Sequence, residues 1–171
     1  NYITIMNKKL IAILFMMAPL AIFAQKFGHL NSADIIQVMP EYTTAQTELQ
    51  KLEKQYSDEL KMMETELSKK SEEYEAQKAT LPANIQQRRE QELQELYGRM
   101  QQYYQQSQQE LAQASQEKMA ALTEKITKAI KEVGVAGGYL YIFDVASGIP
   151  YISETLSTDV TAQVKAKLGI K

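Results

Sequence analysis

The chain is 171 residues long, with 19 basic and 21 acidic residues, one histidine, no tryptophan and no cysteine. Without thiols it has neither a disulfide framework nor the lipid-bearing cysteine of a lipoprotein. A mildly acidic balance with no basic stripe gives no electrostatic footprint for nucleic acid, which removes that class of partner.

The first 24 residues read as a secretory signal peptide with an upstream extension. Asn1 to Ile5 precede the expected true start, Met6-Asn7-Lys8-Lys9 supplies positive charge, and Leu10 to Phe23 form an apolar run broken by Pro19. That run falls short of the about 20 apolar residues a membrane span needs. Cleavage is expected between Ala24 and Gln25, after a small residue. It takes away Lys8 and Lys9 and no acid, leaving 17 basic against 21 acidic residues and a net charge of about −4. The product is expected to be exported, and a thiol-free chain is compatible with an oxidising compartment.

Lys26-Phe27-Gly28-His29-Leu30-Asn31 has the apolar content of a strand. Ser32-Ala33-Asp34 then offers a cap and an early acid before Ile35, Ile36, Val38 and Met39, so a short helix is expected there. Pro40 suits the first turn of a new helix, where its missing N–H is no loss. From Tyr42 the apolar residues recur in steps of three and four through Ala45, Leu49, Leu52, Tyr56, Leu60, Met63, Leu67 and Tyr74, a heptad-like seam with a stutter between Leu52 and Leu60.

Thr80-Leu81-Pro82-Ala83-Asn84 interrupts this pattern, since the residue before a proline is driven out of the helical region. Periodicity resumes through Ile85, Leu93, Leu96, Met100, Tyr103, Leu111, Ala114, Leu122, Ile126, Ala129 and Val133. The two helices should form an antiparallel hairpin over residues 42–133, with its tip near 81–84. At about 1.5 Å per residue the first is roughly 60 Å long, so the hairpin must protrude.

Gly134 is the expected helix stop. Tyr139 to Val145 is the clearest strand, and Ser147-Gly148 turns into a second, Ile149 to Ser153, so the pair reads as a β-hairpin around a central strand. Thr158-Asp159 should cap a last helix carrying Val160, Val164 and Leu168, with Gly169 as its stop. The fold class is α+β: a long coiled-coil hairpin projecting from a small β-rich body built of residues 25–41 and 134–171. Strands and helices this short bury too little surface for a lone subunit, and exposed strand edges need covering, so a cyclic oligomer is expected.

Lys26-Phe27-Gly28-His29-Leu30-Asn31-Ser32, followed by Ile35, Ile36 and Pro40-Glu41-Tyr42, resembles the start of the Skp/OmpH-like chaperone family. The Tyr-Leu-Tyr-Ile-Phe-Asp strand, Ile149-Pro150-Tyr151-Ile152 and Asp159-Val160-Thr161 resemble its closing segment, so the likeness runs from about Lys26 to Leu168. The resemblance implies a periplasmic homotrimer whose bodies share a β-barrel. Its three hairpins would enclose a cavity holding unfolded outer-membrane or envelope proteins without ATP. This chain departs from the family's basic members: Glu41 to Glu132 contains 17 acids against 13 bases. Capture by a cationic cavity and lipopolysaccharide binding are not implied here.

A holdase needs adaptable surface rather than reaction chemistry. Met62, Met63, Tyr74, Tyr97, Met100, Tyr103 and Tyr104 are the expected client contacts, methionine for its flexibility and tyrosine for its amphipathic ring. Met100 and Tyr103 fit the helix–helix seam as well, whereas Met62 and Tyr104 lie off it. Phe27, Leu30, Leu140, Ile142, Ile149 and Ile152 are the expected oligomer core. Arg88 and Arg89 are a possible contact for an anionic client or headgroup, and membrane contact has no other support. Eight of the sixteen residues from Gln101 to Gln116 are glutamine, a nearly uncharged stretch. No metal-ligand cluster, phosphate loop or Ser/His pairing is legible, so neither cofactor nor catalysis is expected. The competing reading is a structural envelope protein whose hairpins act as spacers or docking rods for one partner.

Overall fold

The computed structural model describes residues 25–170. The expected signal peptide lies outside the described residues. Strand β1 (Lys26–Leu30) leads into helix α1 (Ser32–Gln37), long helix α2 (Pro40–Gln77) and a 3₁₀ turn (Lys78–Thr80). Helix α3 (Ala83–Gly137), β2 (Tyr139–Asp144), a second 3₁₀ turn (Val145–Ser147), β3 (Ser157–Asp159) and α4 (Thr161–Lys167) follow. Among the described residues no helix is long and apolar enough to cross a membrane.

Proline sets both ends of the hairpin. Pro40 opens α2 at its first turn, and Leu81, before Pro82, is held extended at φ −79°, ψ 142°. The Gln86 side-chain amide donates to the Lys78 and Leu81 carbonyls at 3.0 and 2.9 Å, satisfying groups the end of α2 leaves open. With 38 and 55 residues, the helices run roughly 57 and 82 Å. They are antiparallel: side chains of Glu41, Glu48, Tyr56 and Tyr74 meet Lys125, Lys118, Glu110 and Glu90 in turn, one number rising as the other falls.

At the other end the two chain termini close one core. Leu30, Ile35 and Met39 from the N-terminal side pack with Leu122, Ile126, Ala129 and Val133 of α3 and with Val160 and Val164 from the C-terminal side. The sheet order is β2-β1-β3 with both pairings parallel. The whole hairpin thus serves as the crossover between β1 and β2, the long connection that parallel strands require.

Four local expectations are corrected. Ile149 to Ser153 carries no strand; the third strand is Ser157–Asp159, and no β-hairpin forms. β1, not Tyr139–Asp144, is central. A Cβ on Gly28 would come within 3.2 Å of Ile142 and Tyr139, so its glycine lets β2 approach closely. Helix α3 runs past Gly134 to Gly137 and stops at Gly138, which takes the left-handed conformation (φ 65°). Gly134 stays helical beneath Ile142, where a Cβ would meet Cδ1 at 3.5 Å. Asn31, rather than Ser32, caps α1 by accepting the Ala33 and Asp34 N–H groups. Ser32 is committed elsewhere: its N–H and hydroxyl donate to the two Asp144 oxygens at 3.0 and 2.5 Å, tying α1 to the end of β2.

Candidate functional site

A two-helix rod has one seam, and that seam sorts the expected contact residues into two sets. Met63, Met100 and Tyr103 are half-buried and Tyr74 is buried, all turned between the helices. Tyr103 meets Tyr56 edge-on with ring centroids 6.1 Å apart, and the Tyr74 hydroxyl donates to Glu90. These four pack in the seam and hold the hairpin together. Met62, Tyr97 and Tyr104 remain outside the seam, 59%, 49% and 54% exposed. Tyr97 also accepts the Gln101 amide at 2.7 Å, fixing its ring on the surface.

Halfway along the rod the packing turns polar. Ser107 is buried in the seam and its hydroxyl donates to the Tyr104 carbonyl at 2.9 Å. Beside it the Tyr56 hydroxyl donates to Glu110 at 2.5 Å, and Gln106 donates to the other oxygen at 2.8 Å. These two donors hold the Glu110 carboxyl below its ordinary range, and the carboxylate in return pushes the Tyr56 phenol up. Tyr103 is pushed up too, first by desolvation and then by Glu59 and Glu110. Nearer the base, Lys118 and Lys125 hold Glu48 and Glu41 below the carboxylate range through direct ion-paired hydrogen bonds.

At the tip a cavity of about 80 Å³ is lined by Tyr74, Gln77, Leu81, Arg89, Glu92 and Leu93. It is far smaller than the about 300–1,000 Å³ of small-molecule sites. Arg88 and Arg89 are exposed, but both already pair with Glu92, at 3.4 and 3.2 Å. An anion there would compete with that carboxylate.

The expected oligomer-core residues also divide. Leu30 is buried in the subunit's own core, and the half-buried Ile142 packs against it. Leu140 is half-exposed, and Ile149 and Ile152 lie half-buried in the segment before β3. On the sheet face away from the helices, Phe27, Tyr141 and Phe143 stack with centroids 5.9 to 6.4 Å apart, and Tyr141 is 59% exposed. Tyr141 and Phe143 were not singled out in the sequence; their alternation with Leu140 and Ile142 carried that signal.

His29 does make a Ser/His pair that the sequence spacing concealed, its Nδ1 lying 2.9 Å from Ser157 Oγ across β1 and β3. Asp159, its cross-strand neighbour, accepts the Thr161 N–H at 2.8 Å, and Thr161 holds its carboxyl below the usual range. Among the described residues no three of His, Cys, Asp and Glu gather as a metal site would require.

This architecture has counterparts. The family model described as "Outer membrane protein (OmpH-like)" matches residues 26–168. The chain belongs to the OmpH-like family. No curated protein matches it. A crystal structure from Caulobacter crescentus CB15, described as a candidate outer membrane chaperone (OmpH-like), superposes with a TM-score of 0.74 at 18% identity, over 84% of this chain and 83% of that one. At that identity the likeness is one of fold. It extends through both the base and the hairpin, the element in which this OmpH-like protein exposes Met62, Tyr97 and Tyr104.

Proposed function

We propose that this protein is an ATP-independent periplasmic holdase that binds unfolded outer-membrane and envelope polypeptides and keeps them from aggregating. The family supports a chaperone role, and the related structure from Caulobacter crescentus carries the same description. The observation that carries the reading is the exposure of Met62, Tyr97 and Tyr104 on a protruding rod only two helices thick. No third helix covers them, and adaptable or amphipathic side chains of this kind suit varied clients.

The same reading makes the base a self-association body, a homotrimer in which the stacked Phe27, Tyr141 and Phe143 face other copies. Three strands with an open aromatic face and free edges favour such closure. The hairpins of the assembly would then surround the client. The expected location is the periplasm, reached through the amino-terminal signal.

The test is suppression of light scattering when several unrelated outer-membrane barrel proteins are diluted from denaturant, without nucleotide, at near-stoichiometric chaperone. A chain lacking residues 46–121, closed by a short turn between Ala45 and Leu122, should remain assembled and lose the activity. Action on a single partner only would assign the hairpin to a docking rod instead, and retained holding by the truncated chain would move the client site into the base.

A further inference from the structure

The hairpin has two unlike flanks, because stepping one residue along a helix turns the side chain by about 100°. Residues just before a seam position face one way. Glu41 precedes Tyr42, Glu48 precedes Leu49, Glu110 precedes Leu111 and Lys125 precedes Ile126, and this is the flank laced by the Glu41–Lys125 and Glu48–Lys118 ion pairs and the Tyr56–Glu110 bond. Residues just after a seam position face the other way. Tyr97 follows Leu96, Tyr104 follows Tyr103, Gln108 follows Ser107 and Ser115 follows Ala114, with Gln101 and Met119 on the same line. Tyr97, Tyr104 and Met119 are 49%, 54% and 39% exposed, and nothing on this line of α3 is charged. Gln46, Gln50 and Ser57 border it from α2, with Glu53 among them and Glu64 sharing a groove with Tyr97.

We infer that this neutral flank of α3, from Tyr97 to Met119, is the client-holding surface and that it selects uncharged stretches of unfolded chain. The favoured stretches alternate aromatic or aliphatic residues with uncharged polar ones. The inference rests on the holdase reading and adds to it where the client lies and what it is selected for. An extended client presents one N–H and one C=O per residue, and a glutamine carboxamide can both accept and donate. The tyrosines and Met119 take the apolar side chains between these bonds. Charge argues for the same occupant. The strip carries no charge on α3 and only carboxylates at its α2 border, so covering an acidic client residue leaves it desolvated and unpaired and a basic one finds a partner only at that edge, whereas a neutral one carries no such penalty. Length agrees as well: the 22 steps from Tyr97 to Met119 span roughly 33 Å, about ten residues of extended chain, close to the 9–11 residues of one membrane-spanning β-strand.

The experiment measures anisotropy of labelled peptides of about 20 residues binding to the full-length assembled protein, in about 50 and about 500 mM salt. One peptide alternates Val and Tyr with Ser and Thr; two others carry Lys or Asp in place of the Ser. The neutral peptide should bind tightest, its affinity changing less than about threefold with salt. Tyr104→Glu should weaken it by about tenfold, and Gln102→Glu, likewise exposed but just before seam residue Tyr103 and so on the opposite flank, should leave it unchanged. Preference for a charged peptide, steep salt dependence, or loss on Gln102→Glu with Tyr104→Glu silent would overturn the inference. If those outcomes accompany normal suppression of barrel-protein aggregation, the holdase reading survives alone. Failure to suppress aggregation at all removes both.

Discussion

The Tyr74 hydroxyl donates to the Glu90 carboxylate 2.5 Å away, joining α2 to α3 one turn short of the hairpin tip. Lys78 sits over the same ring, 5.3 Å from its centroid, and pairs with Glu90 at 3.8 Å. This is the last buried side chain before the turn, so it decides how far the tip frays. The Glu90 hydrogen bond, with desolvation second, pushes the Tyr74 phenol up to about 12. A phenol whose pKa rises on folding stabilises fully below its unfolded value near 10, and that contribution is lost as pH climbs through the folded value. Tyr74→Phe should speed amide exchange at the tip at neutral pH and delete the last phase of phenolate absorbance above pH 11. An unchanged titration would place the tip closure elsewhere.

The cross-helix carboxylates act at the other end of the pH scale. Glu41, Glu48 and Glu110 are each held below the usual range, chiefly by Lys125, Lys118 and the Tyr56 hydroxyl. Each binds protons less tightly folded than unfolded. Its stabilisation is therefore present above about pH 4.3 and lost as pH falls through the depressed folded value. Helical melting followed by circular dichroism should decline below that point, less steeply in a Glu41→Gln, Glu48→Gln, Glu110→Gln triple variant. Because these groups are exposed, high salt should shrink the difference. Identical profiles for both chains would mean the ion-laced flank is not held by charge.

Subunit stability and association should separate by residue. Leu30 is 1% exposed in the subunit core, so Leu30→Ala should cost about 2–5 kcal/mol in chemical denaturation. Tyr141 and Phe143 lie on the open sheet face, and changing both to Ser should leave the melting of a dilute subunit nearly intact while lowering the particle mass seen by sedimentation. An unchanged mass would remove this face from the assembly.

What could be read from the sequence followed the range of the interaction. Pro40 and Pro82 act on their immediate neighbours, and both ends of the hairpin lie where they point. The seam was legible because heptad spacing is local; which flank carries charge was hidden, since it emerges only when α2 and α3 are set side by side. Thr158-Asp159 reads as a cap, and with Ser157 it becomes a strand only because β1, far back in the chain, supplies the ladder. Ile149 to Ser153 has strand-like residues and no such partner within the subunit. The seam also explains why Tyr74 and Met63 were grouped with Met62: residue type suggests a contact, but only helix phase says whether it faces out.

The joint between α3 and β2 offers a final discrimination, because its two glycines are needed for different reasons. Gly138 occupies the left-handed region at φ 65°, where a Cβ costs about 1–2 kcal/mol, and no atom lies within 4 Å of that Cβ. Gly138→Ala should therefore lose about that much stability, and Gly138→Asn less, since asparagine tolerates this conformation. At Gly137 the obstacle is a neighbour: a Cβ would lie 2.4 Å from the Tyr139 ring. The ring cannot move freely, because Lys26 sits 4.1 Å above it while donating to the Gly137 carbonyl at 3.0 Å. Removing the ring should relieve one defect and not the other. Tyr139→Val should restore most of the stability lost in Gly137→Ala and none of that lost in Gly138→Ala. Rescue of both by Tyr139→Val would mean that crowding, rather than backbone conformation, sets the requirement at position 138.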